Sequence, residues 1–207
     1  MSENYTKKGC YGNYQAEIAR ERRCHGCLDF SDCTTEATVS KLVQADARAK
    51  AVKLDQGKRQ YSLIIPQMME IMLPKMDKNS DGYWIREAIL ELSRAAHKNN
   101  MGDVLMHCHG AIEGLRIHVG SEKILDELTK AMEHGAKKPE YGRNNWKQGM
   151  EWSRLLDAGM RHGIAILRGE DIDQDSGNTH LAHMLGSIHM LMGNIELGVG
   201  TDDITIK

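Results

Sequence analysis

The sequence is short of aromatic residues and of proline. Aromatic side chains make up 5% of its 207 residues, with a single phenylalanine, and there are only three prolines. Strands favour aromatic and β-branched side chains, so this shortage argues against a β-sandwich or a β-barrel. Methionine, with 13 residues, and frequent leucine, alanine and glutamate favour helices instead. The composition therefore predicts an all-α fold.

An excess of charge of one sign is also missing, as is any signal for a membrane segment. The 27 Lys and Arg residues nearly balance the 29 Asp and Glu residues, which argues against the strongly basic surface typical of nucleic-acid-binding proteins. No run approaches the ~20 apolar residues that a membrane helix needs. The polar start MSENYTKKGCYGN lacks the apolar core of a signal peptide. We therefore expect a cytoplasmic protein without a membrane or nucleic-acid partner.

Cysteine is almost confined to the first 40 residues. Four of the five cysteines lie there, in the order Cys10, Cys24, Cys27 and Cys33, and in a cytoplasmic protein such a cluster indicates metal or free thiols rather than disulfides. The C-x-x-C pair can reach one ion from a tight turn, and two more thiolates complete a tetrahedral shell. Four thiolates suit zinc or an iron–sulfur cluster. Residues 1–40 are therefore predicted to form a small metal-binding segment.

The rest of the chain has a helical pattern almost throughout. Residues 41–57 are charged and rich in alanine, as in a helical linker. Over residues 58–200, apolar side chains recur at helical spacing and are interrupted by polar loops at 135–149 and 168–179. The pattern predicts five or six helices behind the cysteine-rich segment.

The densest group of reactive side chains follows Asp157. Asp157 and Arg161 are four residues apart and share a helix face, and His162 comes next. A stripe of histidines and carboxylates that faces a neighbouring helix is costly unless its members are paired or bind metal. Carboxylate and imidazole together suit Mg²⁺ or Mn²⁺, and imidazole also suits zinc, iron or nickel. The candidate ligands are Glu170, Asp173, His180 and His183. The alternative for the acidic loop is a solvated turn that caps a helix.

The loop at 135–149 offers cations and an indole. Its lysines are candidates for holding phosphates, Trp146 for stacking on a base, and Asn145 for contacting the edge of that base. The alternative is that Trp146 anchors the core and that the lysines are solvated. The predicted substrate-binding residues are Lys58, Arg59, Lys137, Lys138, Asn145, Trp146 and Lys147, together with Asn194 from the polar stripe of the last helix.

Two neighbouring segments of the chain read HGAKKPEYGRNNWKQG and LLDAGMRHGIAILRGEDIDQDSGNTHLAHMLGSI. They resemble the phage dATP/dGTP diphosphohydrolase-like domain, which is related to MazG-like all-α nucleoside triphosphate pyrophosphohydrolases. The segments match the patterns N-W-x-x-G, D-A-x-x-R-H, G-E-x-x-D-x-[DE]-x-G and H-x-x-H. KRQYSLIIP at 58–66 is similar to the upstream pattern K-x-R-x-D-L-x-P, with Ser62 in place of the aspartate.

The resemblance implies a MazG-like helical bundle over 58–200, with 67–120 as a helical insertion. It also implies metal-dependent hydrolysis of dATP or dGTP to monophosphate and pyrophosphate by a homodimer or tetramer. Magnesium or manganese on Glu170 and Asp173 would bridge the phosphates and activate water, and Arg161 would stabilise the leaving pyrophosphate.

The general base of this implied reaction is either Asp157 or His162. Two alternative functions stay open. One is an HD-like nucleotide phosphohydrolase, and the other is a non-catalytic protein that binds a nucleotide or a partner and carries a structural metal site.

Overall fold

The computed structural model describes residues 57–138 and 142–205. The predicted metal-binding segment with Cys10, Cys24, Cys27 and Cys33, and the predicted linker up to its last residue, lie outside the described residues. Two short 3₁₀ turns, Tyr61–Leu63 and Asn145–Gln148, accompany six α-helices in these ranges. The helices are α1 (Pro66–Met72), α2 (Asp81–Ala95), α3 (Met101–Val119), α4 (Ser121–Lys137), α5 (Trp152–Leu167) and α6 (His180–Glu196).

The predicted all-α fold is confirmed for the described part of the chain. Apart from helices and turns, this part contains only two isolated bridges, Glu151 with Thr201 and Ile172 with Thr179. None of its helices is long and apolar enough to span a membrane. The finer prediction, a MazG-like bundle, stays a prediction.

Local signals in the sequence set several helix ends. Pro66 begins α1, where its missing N–H is not needed. The Asn100 side chain caps α3 by accepting a hydrogen bond from the backbone of Asp103 at 2.9 Å. Thr179 caps α6 in the same way through Ala182, at 3.0 Å, and therefore fixes where the helix with the H-x-x-H motif begins.

The core is formed chiefly where α2, α3, α5 and α6 meet. Glycines on α5 let it approach α2 closely: a Cβ atom on Gly163 would lie 2.7 Å from Ile89, and one on Gly159 would lie 2.9 Å from Leu92. Ile89 and Leu92 are fully buried. Helices α2 and α3 come from the predicted insertion, yet they contribute to the same core as α5 and α6. This packing holds α5 and α6 side by side and brings His162 against the start of α6.

Candidate active site

Four histidines from three helices form a cluster at the start of α6. The Nδ1 atoms of His162 and His180 are 2.9 Å apart, and the ring of His183 stacks on that of His162 with centroids 4.9 Å apart. His134 at the end of α4 meets His183 edge-on at 5.9 Å. Its Nε2 atom is buried and has no hydrogen-bond partner in the described part of the chain. These rings, from His134, His162, His180 and His183, are called the histidine cluster below.

A tight turn after α5 supports the histidine cluster from one side. The Asp173 carboxylate accepts hydrogen bonds from the backbone N–H of Asp175 and from the Ser176 hydroxyl, both at 3.2 Å. The carboxylate also contacts His183, whose Nε2 atom lies 3.3 Å from Asp173 Oδ2. Asp173 thus lies beside His183, and its predicted role as a metal ligand stays a prediction.

Ser176 links the turn to His183. Its hydroxyl oxygen lies 3.2 Å from Asp173 Oδ2 and accepts the backbone N–H of Asn178 at 3.2 Å. The same oxygen forms a hydrogen bond with Nε2 of His183 at 2.6 Å. Ser176 therefore fixes the orientation of the His183 ring relative to the turn.

The charges around Asp173 and His183 follow from their surroundings. Partial burial raises the pKa of Asp173, but the Asp175 backbone, His183 and the Ser176 hydroxyl outweigh it, so the pKa lies below its ordinary value. Burial lowers the pKa of His183, against the opposing effect of Asp173, and His134, His180 and Lys138 lower it further. At neutral pH the cluster therefore combines an ionised carboxylate with an uncharged His183 imidazole.

Glu170 lies apart from this arrangement. Its side chain is exposed, and its backbone N–H bonds to Ala165 in the turn that ends α5. The contacts that assemble the histidine cluster in the described residues do not include it. Of the four predicted ligands, Asp173, His180 and His183 thus lie near one another, with His162 of α5 between the two helical histidines.

Asp157 and Arg161 attach the upstream segment to α5. Asp157 is 3% exposed, and its carboxylate accepts the backbone N–H of Ser62 at 2.6 Å. The Arg161 guanidinium donates to the backbone carbonyl of Arg59 at 2.8 Å. These contacts let both side chains hold the upstream segment, and the catalytic roles predicted for Asp157 and Arg161 stay predictions. They also explain why the pattern at 58–66 accompanies the D-A-x-x-R-H pattern.

The far end of α6 holds the loop with Trp146. Trp146 is half-buried and packs on Gly193, where an added Cβ would lie 2.5 Å from Cζ3 of the indole, and on His189, with ring centroids 5.1 Å apart. Asn194 is fully buried; it accepts from the Met150 backbone at 3.1 Å and donates to the Trp146 carbonyl at 2.9 Å. Both polar ends of Asn194 are thus used to fix the loop, so the structure does not support its predicted contact with substrate.

The other predicted substrate residues are distributed over the surface. Lys138 is near enough to His183 to lower its pKa, while Lys58, Arg59 and Lys137 are exposed. Lys147 places its Nζ atom 5.5 Å from the Trp146 ring. Asn145, Arg143 and Trp146 line a small cavity of about 60 Å³ against α4. From His183 to Gly193 the axis of α6 spans about 15 Å, so the indole and the histidine cluster lie at different ends of one helix.

A larger cavity lies beside the start of α6. Its volume is about 870 Å³, and its walls come from α2, α3, α4 and the turn after α5. Asp171, Thr179 and the buried Glu127 line it, with Thr179 donating a hydrogen bond to Glu127. Ligand sites commonly have volumes of roughly 300–1,000 Å³, so the cavity is large enough for a nucleoside. The residues that line it do not include the four histidines of the cluster.

The donor chemistry near His183 suits a divalent cation only in part. Across residues 57–138 and 142–205, no three His, Cys, Asp or Glu side chains are arranged to hold one ion. The predicted four-ligand set of Glu170, Asp173, His180 and His183 is therefore not assembled in this structure. What the cluster offers is the His162–His180 pair, an adjacent ionised carboxylate and the unpartnered Nε2 of His134.

Sequence reasoning missed His134 and Ser176. His134 is the first residue of the segment HGAKKPEYGRNNWKQG, and Ser176 lies inside the acidic loop pattern, so proximity to the motifs was an available signal. The face of α4 that meets α6 cannot be read from residue spacing. Nor does the spacing show that Ser176 turns back to His183.

Residues 111–204 match the family described as dATP/dGTP diphosphohydrolase, N-terminal. The predicted resemblance to the phage dATP/dGTP diphosphohydrolase-like domain is thereby confirmed for this segment. A dATP/dGTP diphosphohydrolase of Salmonella phage PMBT28 is 31% identical over 81 residues, which cover 39% of this chain and 27% of that protein. The chain thus matches about a quarter of the length of this curated relative. No solved structure matches the chain.

The matched segment contains the complete histidine cluster and the turn that supports it. His134, His162, Asp173, Ser176 and the H-x-x-H pair all fall within residues 111–204. Helices α1 and α2 and the upstream segment at 58–66 lie outside it. The dATP/dGTP diphosphohydrolase-like segment therefore holds the candidate site, and the residues before it complete the core around that site.

Proposed function

We propose that this protein hydrolyses deoxynucleoside triphosphates, with dATP and dGTP as the favoured substrates, to monophosphate and pyrophosphate in the presence of a divalent cation. The observation that carries the proposal is that the histidine cluster lies wholly inside the segment similar to dATP/dGTP diphosphohydrolases. Clusters of interacting titratable groups with shifted pKa values are typical of catalytic sites.

Different parts of the candidate site would bind the triphosphate and the nucleoside. Lys138, whose charge is felt at His183, would bind the triphosphate and offset charge on the leaving pyrophosphate. The cavity of about 870 Å³ beside Thr179 would receive the nucleoside. A bound divalent ion would neutralise phosphate charge and lower the pKa of an attacking water.

The two predicted general bases differ in their access to substrate. The Asp157 carboxylate is buried and accepts the backbone N–H of Ser62 at 2.6 Å. His162 lies in the histidine cluster. Of the two, His162 is therefore the residue that would meet the substrate.

An assembly of two or four copies stays part of this proposal. Large apolar side chains are exposed along the start of the described region, and exposed apolar side chains of this kind are available for contact with another copy. They are Leu63, Ile65, Met68, Ile71 and Met72. Light scattering on the full chain measures the number of copies.

The test of the proposed reaction is a product analysis on the full chain. Purified protein is incubated with dATP or dGTP and Mn²⁺ or Mg²⁺, and the products are separated by anion exchange. Pyrophosphate and monophosphate are expected. Triphosphate or orthophosphate would favour the HD-like phosphohydrolase instead, and binding without any metal-dependent product would favour the non-catalytic alternative. His97→Ala, which changes an exposed histidine on the turn after α2, is the control that should leave activity unchanged.

A further inference from the structure

The large cavity beside the start of α6 has a negatively charged lining. Among the described residues that line it, Lys123 is the single lysine or arginine, and it is outnumbered by three carboxylates, those of Asp81, Glu127 and Asp171. Most of its other walls are apolar side chains of α2, α5 and α6. Such a lining repels a triphosphate but accepts the flat, uncharged ring of a base. The cavity is therefore suited to the base end of a nucleotide.

The buried Glu127 carboxylate is held in place by two donors. Lys130 Nζ donates to Oε1 at 3.1 Å, and the Thr179 hydroxyl donates to Oε2. A carboxylate has about four lone-pair positions, two on each oxygen. Within the described part of the chain these donors use one position on each oxygen, so one position on each oxygen is left to accept a hydrogen bond from a ligand.

Two neighbouring acceptor positions match guanine better than the other bases. The Watson–Crick edge of guanine has two adjacent donors, N1–H and N2–H, which can meet one carboxylate side by side. Adenine and cytosine each place a ring-nitrogen acceptor beside a single amino group, and thymine has one N–H between two carbonyls. Any of these three bases would set an acceptor against the carboxylate and leave a desolvated lone pair unpaired, which is costly.

The position of Lys123 favours the same base. It lies one turn before Glu127 on α4, so the two residues share a helix face, and both line the cavity. Guanine carries its O6 acceptor next to N1–H, and a base paired with Glu127 can therefore turn O6 toward the ammonium group. Adenine has an amino group in place of O6, and that group cannot accept from lysine.

We infer that the cavity binds the guanine base of dGTP, with Glu127 accepting N1–H and N2–H and Lys123 donating to O6, so that the protein prefers dGTP to dATP. This inference rests on the proposed function for the identity of the substrate as a deoxynucleoside triphosphate. It makes Glu127 and Lys123 the residues that determine base specificity, and the sequence analysis predicted neither of them as a site residue.

The cavity and the histidine cluster are connected through α4 and the start of α6. His134 lies two turns after Glu127 on α4, which is ~10 Å along the helix axis and on the same face. Thr179, which lines the cavity, directly precedes His180. The distance along α4 is comparable to the length of a nucleoside, so a nucleotide whose base contacts Glu127 can extend its phosphates to the cluster.

The test begins with a comparison of substrates on the full, unaltered chain. Steady-state kinetics with Mn²⁺ give kcat/KM for dGTP, dATP and dITP, the last of which keeps N1–H and O6 but lacks the 2-amino group. We expect kcat/KM for dGTP to be at least tenfold higher than for dATP, with dITP between them. A value for dATP equal to or above that for dGTP would overturn the inference.

Glu127→Gln tests the carboxylate itself. The amide keeps the size of the side chain and one accepting oxygen, but its NH₂ group cannot accept from guanine. The ratio of kcat/KM for dGTP to that for dATP should fall at least tenfold. A purely structural role would lower both values by the same factor, and an unchanged ratio in the folded variant therefore contradicts the inference. Glu122→Gln, an exposed position in the first turn of α4, is the matched control and should leave both values unchanged.

Lys123→Met is the second variant, because its exposed position makes it independent of whether Glu127→Gln folds. It should lower the same ratio at least threefold through loss of the donor to O6, and an unchanged ratio would remove Lys123 from the site.

Equilibrium binding of the non-hydrolysable α,β-imido analogues of dGTP and dATP separates this inference from the proposed function. Preferential binding of the dGTP analogue by a chain that does not hydrolyse dGTP keeps the base site and removes the proposed reaction. Hydrolysis of dGTP and dATP with equal kcat/KM does the reverse. Failure of the folded chain to bind either analogue overturns the base site.

Discussion

The polar side chains at the two ends of helix α6 have different kinds of partner. At its start, His180 and His183 face other titratable side chains across α4, α5 and the acidic turn. Near its end, both polar atoms of the Asn194 side chain form hydrogen bonds with backbone groups, and the Trp146 ring packs against Gly193. The histidines at the start of α6 contact other side chains, which can move aside when a ligand binds. Asn194 near the end of α6 is bound to backbone groups and holds the loop in place. The comparison assigns chemistry to the start of α6 and structure to its end.

The largest expected effect is at the start of α6. His183→Ala removes the ring that stacks on His162 and bonds to Ser176, and it should reduce kcat/KM for dATP at least ~100-fold while helical content stays unchanged. Glu170→Gln, on the exposed turn nearby, should change the same quantity by no more than about twofold. Steady-state kinetics on both variants measure this difference. Equal losses would return Glu170 to the site.

Trp146→Ala tests the opposite end. Removing a half-buried indole that packs on Gly193 and His189 should lower the free energy of unfolding by roughly 2 kcal/mol. Chemical denaturation measures that loss, and kinetics on the folded fraction separate it from a role in binding. An unchanged stability with a raised KM would contradict the anchoring role and restore stacking on the base.

Ser176→Ala tests whether the turn positions His183. Without the hydroxyl, Nε2 of His183 loses its 2.6 Å partner, so the ring is less firmly oriented and kcat/KM should fall about tenfold. Ser176→Thr keeps the hydroxyl and should restore most of the activity. If alanine and threonine behave alike, the hydroxyl is not what orients the ring.

Gly193→Ala is the smallest expected change. Its new methyl group would collide with Trp146, because the added Cβ would lie 2.5 Å from Cζ3 of the indole, so the free energy of unfolding should fall by about 1 kcal/mol. Gly135→Ala, on α4 with no neighbour within 4 Å of the added Cβ, should instead gain roughly 0.5–1 kcal/mol. Thermal unfolding of the pair gives both values, and a stabilised Gly193→Ala would show that the loop yields easily.

Local patterns were enough to predict much of this protein. The scarcity of aromatic residues and proline predicted helices, and the all-α prediction is confirmed in the described residues. The three-residue spacing of His180 and His183 predicted that both lie on one face of a helix, and both meet His162. The motifs predicted the resemblance that the family match confirms for residues 111–204. These properties depend on near neighbours in sequence, which helix periodicity relates directly.

The roles of Asp157, Asn194 and His134 were decided only by the tertiary structure. Asp157 lies 95 residues from Ser62 in sequence, and it becomes a buried anchor because the upstream segment crosses α5 at that turn. Asn194 is taken up by a loop 48 residues earlier, and His134 reaches the cluster because α4 packs along α6. Spacing determines which face of a helix a side chain occupies. The packing of whole helices determines what that face meets, because it depends on contacts between residues far apart in the chain.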